Sequence, residues 1–138
     1  NREFFSFVKE AVAFRKKHPV LHRPDELTMM DYIACGYPDL SLHGEEAWKL
    51  NADGLSRQAG LMYCGCYAKV DKKNNDNFIY IAYNMHWTEH KFALPALSKG
   101  KRWYRVFSTE EELKEEMLVE NQKETVVNER TIIMFLGR

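Results

Sequence analysis

The sequence lacks several features that would assign it to a class at once. Its 138 residues hold seven Gly and four Pro, too few for a collagen-like or low-complexity chain. No apolar run approaches the ~20 residues of a transmembrane helix, so no membrane partner is predicted. Twenty Lys and Arg balance twenty Asp and Glu, giving a formal net charge of zero. That balance argues against a nucleic-acid partner bound through a broad basic face.

Cysteine is scarce as well. Cys35, Cys64 and Cys66 are the three in the chain, and an odd number at these spacings is not a disulfide framework. If residues 60–70 form a strand, Cys64 and Cys66 share one face, where we interpret them as buried thiols acting as small hydrophobes. A zinc site would need a second ligand pair at a suitable spacing. The sequence offers none, and we predict neither a metal nor a cofactor.

Signals of catalysis are also missing. His86 and His90 have a metal-ligand spacing only if they lie on a helix, and they fall instead near a predicted strand end. The chain has no nucleophile elbow and no glycine-rich phosphate loop. Its acidic residues concentrate between Glu110 and Glu124, in a segment that looks solvated. We therefore assign no catalytic residue.

What the sequence does contain begins with a helix. Residues 3–18 carry apolar side chains at three- and four-residue steps, basic residues follow in the last turn, and Pro19 ends the element. Its apolar surface is too wide for a single stripe, which predicts burial on more than one side. One small domain is not expected to supply both sides. The residues of this predicted packing face are Phe4, Phe5, Phe7, Val8 and Phe14.

The rest of the chain has the pattern of an antiparallel β-protein. Seven short β-rich segments are separated by turns, which is typical of a sandwich or barrel: 40–42, 60–70, 78–83, 91–94, 103–107, 125–127 and 131–136. The second and third flank a polar cluster at 71–77 and are predicted to form a hairpin. Thr109 with Glu112 three residues later is a capping-box pattern, predicting a rim helix over 109–117. The predicted fold class is all-β, an antiparallel β-sandwich preceded by one N-terminal α-helix.

Aromatic side chains are the remaining candidates for binding. Large aromatics on strands usually belong to the core, and Trp103 is interpreted in that way. Trp48 and Trp87 lie beside turns instead. If exposed, they can stack on the apolar faces of sugar rings.

Several segments, in order, resemble the C-terminal end of debranching enzymes of the α-amylase superfamily. The end of the helix, at 13–20, is similar to the last helix of their catalytic barrel. The element at 39–44 is similar to one that follows it, with Leu42 in place of a usual Trp. The strand ending at Trp87 is close to one of theirs. The remaining likenesses lie at Ser56-Arg57, 92–95, Gly100, Trp103, Val106, Thr109, Val127 and 130–132, with Ser108 in place of a usual Asp.

The resemblance implies a parent glycoside hydrolase of the isoamylase, glycogen-debranching or pullulanase type, which hydrolyses α-1,6 branches of an α-glucan. Its catalytic carboxylates belong to strands of a (β/α)₈ barrel, and no residue here matches them. Residues 1–20 are then the last barrel helix and residues 21–138 a C-terminal accessory sandwich. The barrel of the same chain is the expected partner. A cytoplasmic location is expected, although secreted relatives of this type are an alternative.

Three functions follow from these patterns. The first is a non-catalytic domain that packs on and stabilises the barrel. The second is an α-glucan-binding module using Trp48 and Trp87. The third is an unrelated interaction sandwich, which requires Phe4, Phe5, Phe7 and Phe14 all to be covered by the chain's own strands. Asn1 in place of an initiating Met favours a piece of a longer protein.

Overall fold

The computed structural model describes residues 3–50 and 57–138. Within these ranges, one α-helix is followed by eight strands and two single turns of 3₁₀ helix, Pro19–Leu21 and Gly65–Tyr67. The helix, α1, spans Phe4–Lys17, as predicted. The strands are β1 Leu40–His43, β2 Gln58–Tyr63, β3 Phe78–Asn84, β4 His90–Ala93, β5 Trp103–Ser108, β6 Met117–Leu118, β7 Glu124–Val127 and β8 Thr131–Gly137.

The strands form two antiparallel sheets. The larger has the order β1-β2-β3-β8-β5-β6, and the smaller pairs β4 with β7. The predicted hairpin is present as β2 and β3, with Leu61 opposite Ile81. Strand β8 lies between β3 and β5, with Phe135 opposite Tyr80 on β3. The predicted antiparallel sandwich with one N-terminal helix is confirmed.

The two sheets enclose the main core. Alternate residues of β3, namely Phe78, Tyr80 and Ala82, point between the sheets, as a period of two requires. Phe92 and Val127 meet them from the smaller sheet, and both are fully buried. The core is completed by Met62, Cys64, Leu94, Trp103, Val119, Ile133 and Phe135. Trp103 is thus a core residue, as predicted, and its indole N–H donates to the Pro95 carbonyl at 2.8 Å.

The opposite face of the larger sheet carries a second, smaller apolar layer. Ile79 and Ile81 of β3 are buried there together with Val20 and Leu136, and Phe14 of α1 packs against them. The carboxyl end of α1 therefore covers part of this outer face. Of the residues the structure describes, none lies in a helix long and apolar enough to cross a membrane. The predicted boundary between residues 1–20 and 21–138 stays a prediction.

The predicted rim helix over 109–117 is wrong. Residues 109–116 are an irregular connection, and Met117 and Leu118 form β6 against β5. The Thr109 hydroxyl accepts a hydrogen bond from the Ile132 amide at 3.0 Å, and the Thr109 amide donates to the Ile132 carbonyl. Because the Thr109 hydroxyl is hydrogen-bonded to Ile132 of β8, it does not cap a helix beginning at this position. Five Glu between 110 and 116 would also repel one another on a short helix.

The prediction for residues 60–70 is also corrected. The strand ends at Tyr63, so Cys64 and Cys66 do not alternate along a strand. Gly65 between them lies against the backbone of Asp76 and Asn77, where an added Cβ would come within 2.0 Å of the Asp76 carbonyl oxygen. That close approach fixes the 3₁₀ turn at Gly65–Tyr67. Cys64 is buried and Cys66 is half-buried.

Candidate functional site

The loop that follows β1 builds a pocket around Trp48. Glu46 and Lys49 pair across a tight turn, and their side chains form an ion pair at 3.2 Å. Trp48 lies at the tip of this turn with a φ of 67°, a left-handed conformation that non-glycine residues rarely adopt. Its backbone amide donates to Nδ1 of His43 at 2.7 Å. Its indole ring packs against the His43 imidazole, with 4.7 Å between ring centroids.

His43 holds that turn in place from inside the protein. The residue is fully buried, and its Nε2 lies 2.8 Å from the Ser41 hydroxyl. Because Nδ1 accepts from the Trp48 amide, the proton of the neutral ring belongs on Nε2, which donates to Ser41. Burial lowers the pKa of His43 from 6.5 to about 4. The imidazole is therefore neutral at neutral pH.

The pocket beside Trp48 has a volume of about 740 Å³. Charged side chains of both signs line this pocket together with the Trp48 indole, which is 48% exposed. An exposed aromatic face ringed by acceptors and donors suits a polar ligand that has an apolar side, as a sugar ring does. The lining residues are Glu45, Glu46, Trp48, Lys49, Leu50 and Lys91.

The other predicted sugar-stacking residue lies elsewhere. Trp87 is 62% exposed and follows β3, but it does not line the Trp48 pocket. The Arg57 guanidinium lies over its ring at 5.1 Å from the centroid, and His86 packs edge-on at 5.9 Å. One face of the Trp87 indole is thus occupied by a cation. The structure does not bring the two tryptophans into one pocket.

Within the described ranges, the two buried carboxylates have structural roles. Asp39 accepts hydrogen bonds from the amides of Thr28, Met29 and Leu40 at 2.8 Å each. Asp76 accepts from the Val20 and Asn77 amides and lies 2.8 Å from Nδ1 of His18. Burial alone would raise the pKa of either carboxyl, but these hydrogen bonds outweigh it and hold both pKa values below the usual range. Neither group is suited to act as a general acid, which needs a raised pKa.

The predicted packing face of α1 divides into two sides. Phe7 packs on Phe107 of β5, with 5.5 Å between ring centroids, and Phe14 packs on the outer layer of the larger sheet. Phe4, Phe5 and Val8 are exposed, by 78%, 73% and 38%. Val12, 47% exposed, continues this exposed side. We call Phe4, Phe5, Val8 and Val12 the apolar stripe.

The stripe is held in a fixed orientation. His18, directly after α1, is buried and contacts the buried Asp76 side chain, and its ring packs on Phe14 at 4.5 Å. The Val20 amide donates to the second oxygen of the same carboxylate at 3.0 Å. Asp76 precedes β3, so these contacts join the end of the helix to the larger sheet. The coverage of all four phenylalanines that an independent interaction sandwich requires is not found, since Phe4 and Phe5 are largely exposed.

The sequence did not single out Asp39, Ser41 and His43 as a structural set. Their spacing of two residues is the available signal, because in a strand it places all three on one face. All three are buried in the structure. Ser56 of the Ser56-Arg57 likeness lies outside the described residues.

Comparison with known proteins gives one family. The family model for the C-terminal domain of isoamylase matches residues 47–138. Isoamylases from Pseudomonas amyloderamosa and Pseudomonas sp. (strain SMP1) are each 31% identical to this chain over 107 residues. The matches cover 77% of this chain and 12% of each relative, so the chain spans about an eighth of the length of the curated relatives.

Proposed function

The chain belongs to the isoamylase C-terminal family, and on that premise we propose that it is the non-catalytic C-terminal domain of a debranching glycoside hydrolase. In this proposal the chemistry, hydrolysis of α-1,6 bonds in glycogen or starch, takes place in a catalytic barrel. This domain packs on the barrel and stabilises it. The observation that carries the proposal is the apolar stripe of α1.

The stripe supports a packing role because the other side of the same helix is already packed on the sheet of this domain. Phe7 and Phe14 already contact the sheet of this domain, while Phe4 and Phe5 are largely exposed. A helix that is apolar on two sides needs two partners. Burying an exposed Phe side chain contributes about 1.5–3 kcal/mol. The barrel is the proposed second partner.

The contact between His18 and Asp76 supports the same role. Both side chains are nearly inaccessible, with exposures of 4% and 0%, and they join α1 to Asp76, two residues before β3. A helix held in this way can transmit the stability of the sandwich to whatever packs on its stripe. The proposal places the protein in the cytoplasm, since its three cysteines are free thiols, which is typical of a reducing compartment.

The packing role is tested in the full-length protein with the double variant Phe5→Ser, Val12→Ser. We expect its Tm for loss of activity and of barrel structure to fall by several degrees, because about 3 kcal/mol of apolar burial is lost. Val126 is a matched control, since it is 54% exposed on β7, away from α1. The Val126→Ser variant should melt within about one degree of the wild type.

Two outcomes of this experiment would contradict the packing role. A double variant that melts with the wild type shows that the stripe has no partner in the full-length protein. A Val126→Ser variant that is destabilised as strongly as the double variant shows that the loss of stability is not specific to the stripe. Either outcome would reject the packing role.

A second proposal follows from the pocket at Trp48, namely that this domain contacts an α-glucan there. An exposed indole next to Glu46, Lys49 and Lys91 offers stacking together with hydrogen-bonding groups for sugar hydroxyls. Titration with maltooligosaccharides should change tryptophan fluorescence, and Trp48→Ala should remove the response. Trp87→Ala is the matched control and should retain it. A flat titration, or a response lost only in Trp87→Ala, contradicts this proposal.

A further inference from the structure

The three cysteines converge at one place although they are far apart in sequence. The Sγ atoms of Cys35, Cys64 and Cys66 all lie within 4.8 Å of one another, and those of Cys35 and Cys64 are 3.9 Å apart. From this geometry we propose that the three cysteines form a trithiolate site for a soft, thiophilic metal ion such as Zn(II) or Cu(I). The proposal does not depend on the proposed function.

The sulfur separations match those of a coordinated metal. With metal–sulfur bonds of about 2.3 Å, two sulfurs on one ion lie about 3.8 Å apart in tetrahedral and about 4.0 Å apart in trigonal coordination. The 3.9 Å between Cys35 and Cys64 falls between these values. Moving the widest pair into place requires less than about 1 Å. A disulfide would require one pair to close to about 2.05 Å.

The backbone that carries the thiols is fixed before any metal arrives. Gly65 holds Cys64 and Cys66 on a turn pressed against Asp76, and the Cys64 amide donates to the Asp39 carbonyl at 3.1 Å. Such prior ordering lowers the cost of assembling a site.

Cys35 is positioned by a separate set of contacts. Its backbone amide donates to one carboxylate oxygen of Asp31 at 3.0 Å, and the Gly36 amide donates to the other at 2.9 Å. The Tyr67 hydroxyl donates to the Tyr37 carbonyl at 2.7 Å and lies 3.0 Å from Asp31. Tyr67 is the residue after Cys66, so this hydroxyl links the two halves of the site.

The donor set selects the class of metal. In residues 3–50 and 57–138, the cluster of candidate ligands contains three sulfurs and no imidazole or carboxylate. Thiolates prefer Zn(II) and Cu(I) to Mg(II) and Ca(II). Three thiolates complete a trigonal Cu(I) site, whereas Zn(II) would take a fourth ligand from solvent. Cys35 and Cys66 are half-buried, which leaves a path for an ion to enter.

Binding exchanges protons for metal. Burial raises the pKa of the Cys64 thiol and of the Cys66 thiol, and the Lys101 ammonium partly offsets this at Cys66. These two sulfurs are therefore protonated in the metal-free protein. When the ion binds, each protonated thiol gives up its proton to the buffer and each of the three sulfurs forms a bond to the metal. The reaction involves no oxidant or reductant.

The test is metal uptake by the full-length protein under reducing conditions, with Cd(II) as a spectroscopic probe and Zn(II) and Cu(I) in parallel. We expect one equivalent to bind per chain, with an ultraviolet thiolate-to-metal charge-transfer band, a raised Tm and release of protons to the buffer. Cys35→Ser and Cys66→Ser should each weaken binding by at least about tenfold. These two positions are half-buried, so the variants avoid the buried Cys64.

Ala68→Ser is the matched control, because it adds a hydroxyl at the end of the same turn and keeps all three sulfurs. It should bind metal as the wild type does. The proposal is overturned if the full-length protein takes up no cysteine-dependent metal. It is also overturned if Cys35→Ser or Cys66→Ser binds as tightly as Ala68→Ser.

Discussion

At the scale of single residues, His43 shows how one buried imidazole sets the shape of a surface loop. Its Nδ1 accepts the Trp48 amide proton at 2.7 Å. A protonated ring would present a second donor to that amide, and the hydrogen bond would be lost. The Trp48 turn, with its left-handed backbone, thus depends on a neutral His43.

This dependence predicts a loss of stability in mild acid. Between pH 6.5 and about 4, the unfolded chain binds a proton at His43 that the folded chain does not. The free energy of unfolding therefore decreases as the pH falls through this window, by about 3 kcal/mol. Urea unfolding at a series of pH values measures the slope. His43→Gln should flatten it.

The control for that measurement is His22, which is exposed. His22→Gln should keep the wild-type slope. Trp48 fluorescence should change over the same pH range in the wild type and in His22→Gln. A His43→Gln variant with the wild-type pH dependence would show that another group is responsible.

At the scale of elements, Thr109 in the connection after β5 has a different role from the one that the sequence predicts. A capping box would have used Thr109 and Glu112 to begin a helix. In the structure the Thr109 hydroxyl accepts from the Ile132 amide, so it extends the attachment of this segment to β8. The long-range partner overrides the local pattern.

A capped helix and the observed hydrogen bond between Thr109 and Ile132 predict different effects of mutation. Thr109→Val should cost about 1 kcal/mol of unfolding free energy, because the Ile132 amide loses its acceptor. Glu112→Ala should stay within about 0.5 kcal/mol of the wild type. Urea unfolding of both variants makes the comparison. Equal losses in the two variants would instead indicate a capped helix.

The elements that sequence could predict are those with a strong period or a clear stop. Strand β3 was predictable because five of its seven residues are β-branched or aromatic, and α1 because Pro19 follows basic residues. The convergence of Cys35 with Cys64 and Cys66 was not predictable. It depends on where residues 22–38 return to the sheet, and no local period encodes such a contact. Likewise, the stripe was predicted as one face, and only the position of the sheet divides Phe7 and Phe14 from Phe4 and Phe5.

At the scale of the whole molecule, we expect backbone amides to be best protected from hydrogen exchange at the centre of the larger sheet and less protected farther from it. Strands β3 and β8 are paired along seven residues and are buried on both faces at Ile79, Tyr80 and Phe135. The first turns of α1 contain no buried side chain. The start of α1 is therefore expected to open by local unfolding, whereas β3 and β8 open only when the whole domain unfolds.

Hydrogen exchange tests that grading. Amides of β3 and β8 should exchange at the rate set by global unfolding, and those at the start of α1 should exchange many times faster. In the full-length protein the amides of α1 should slow down if the stripe is covered. Exchange from α1 as slow as from β3 in this chain alone would contradict the description of α1 as a partly exposed element.

The position of β8 has a consequence for how the protein is made. β8 comes last of the eight strands in the described sequence, yet it lies between β3 and β5 and is their sole connection in the larger sheet. While a ribosome is still translating residues 131–137, β1 to β3 and β5 with β6 can form only as two separate ribbons with open edges. Such edges invite pairing with other chains. The nascent chain is therefore most vulnerable to aggregation in the interval just before its sheet can close.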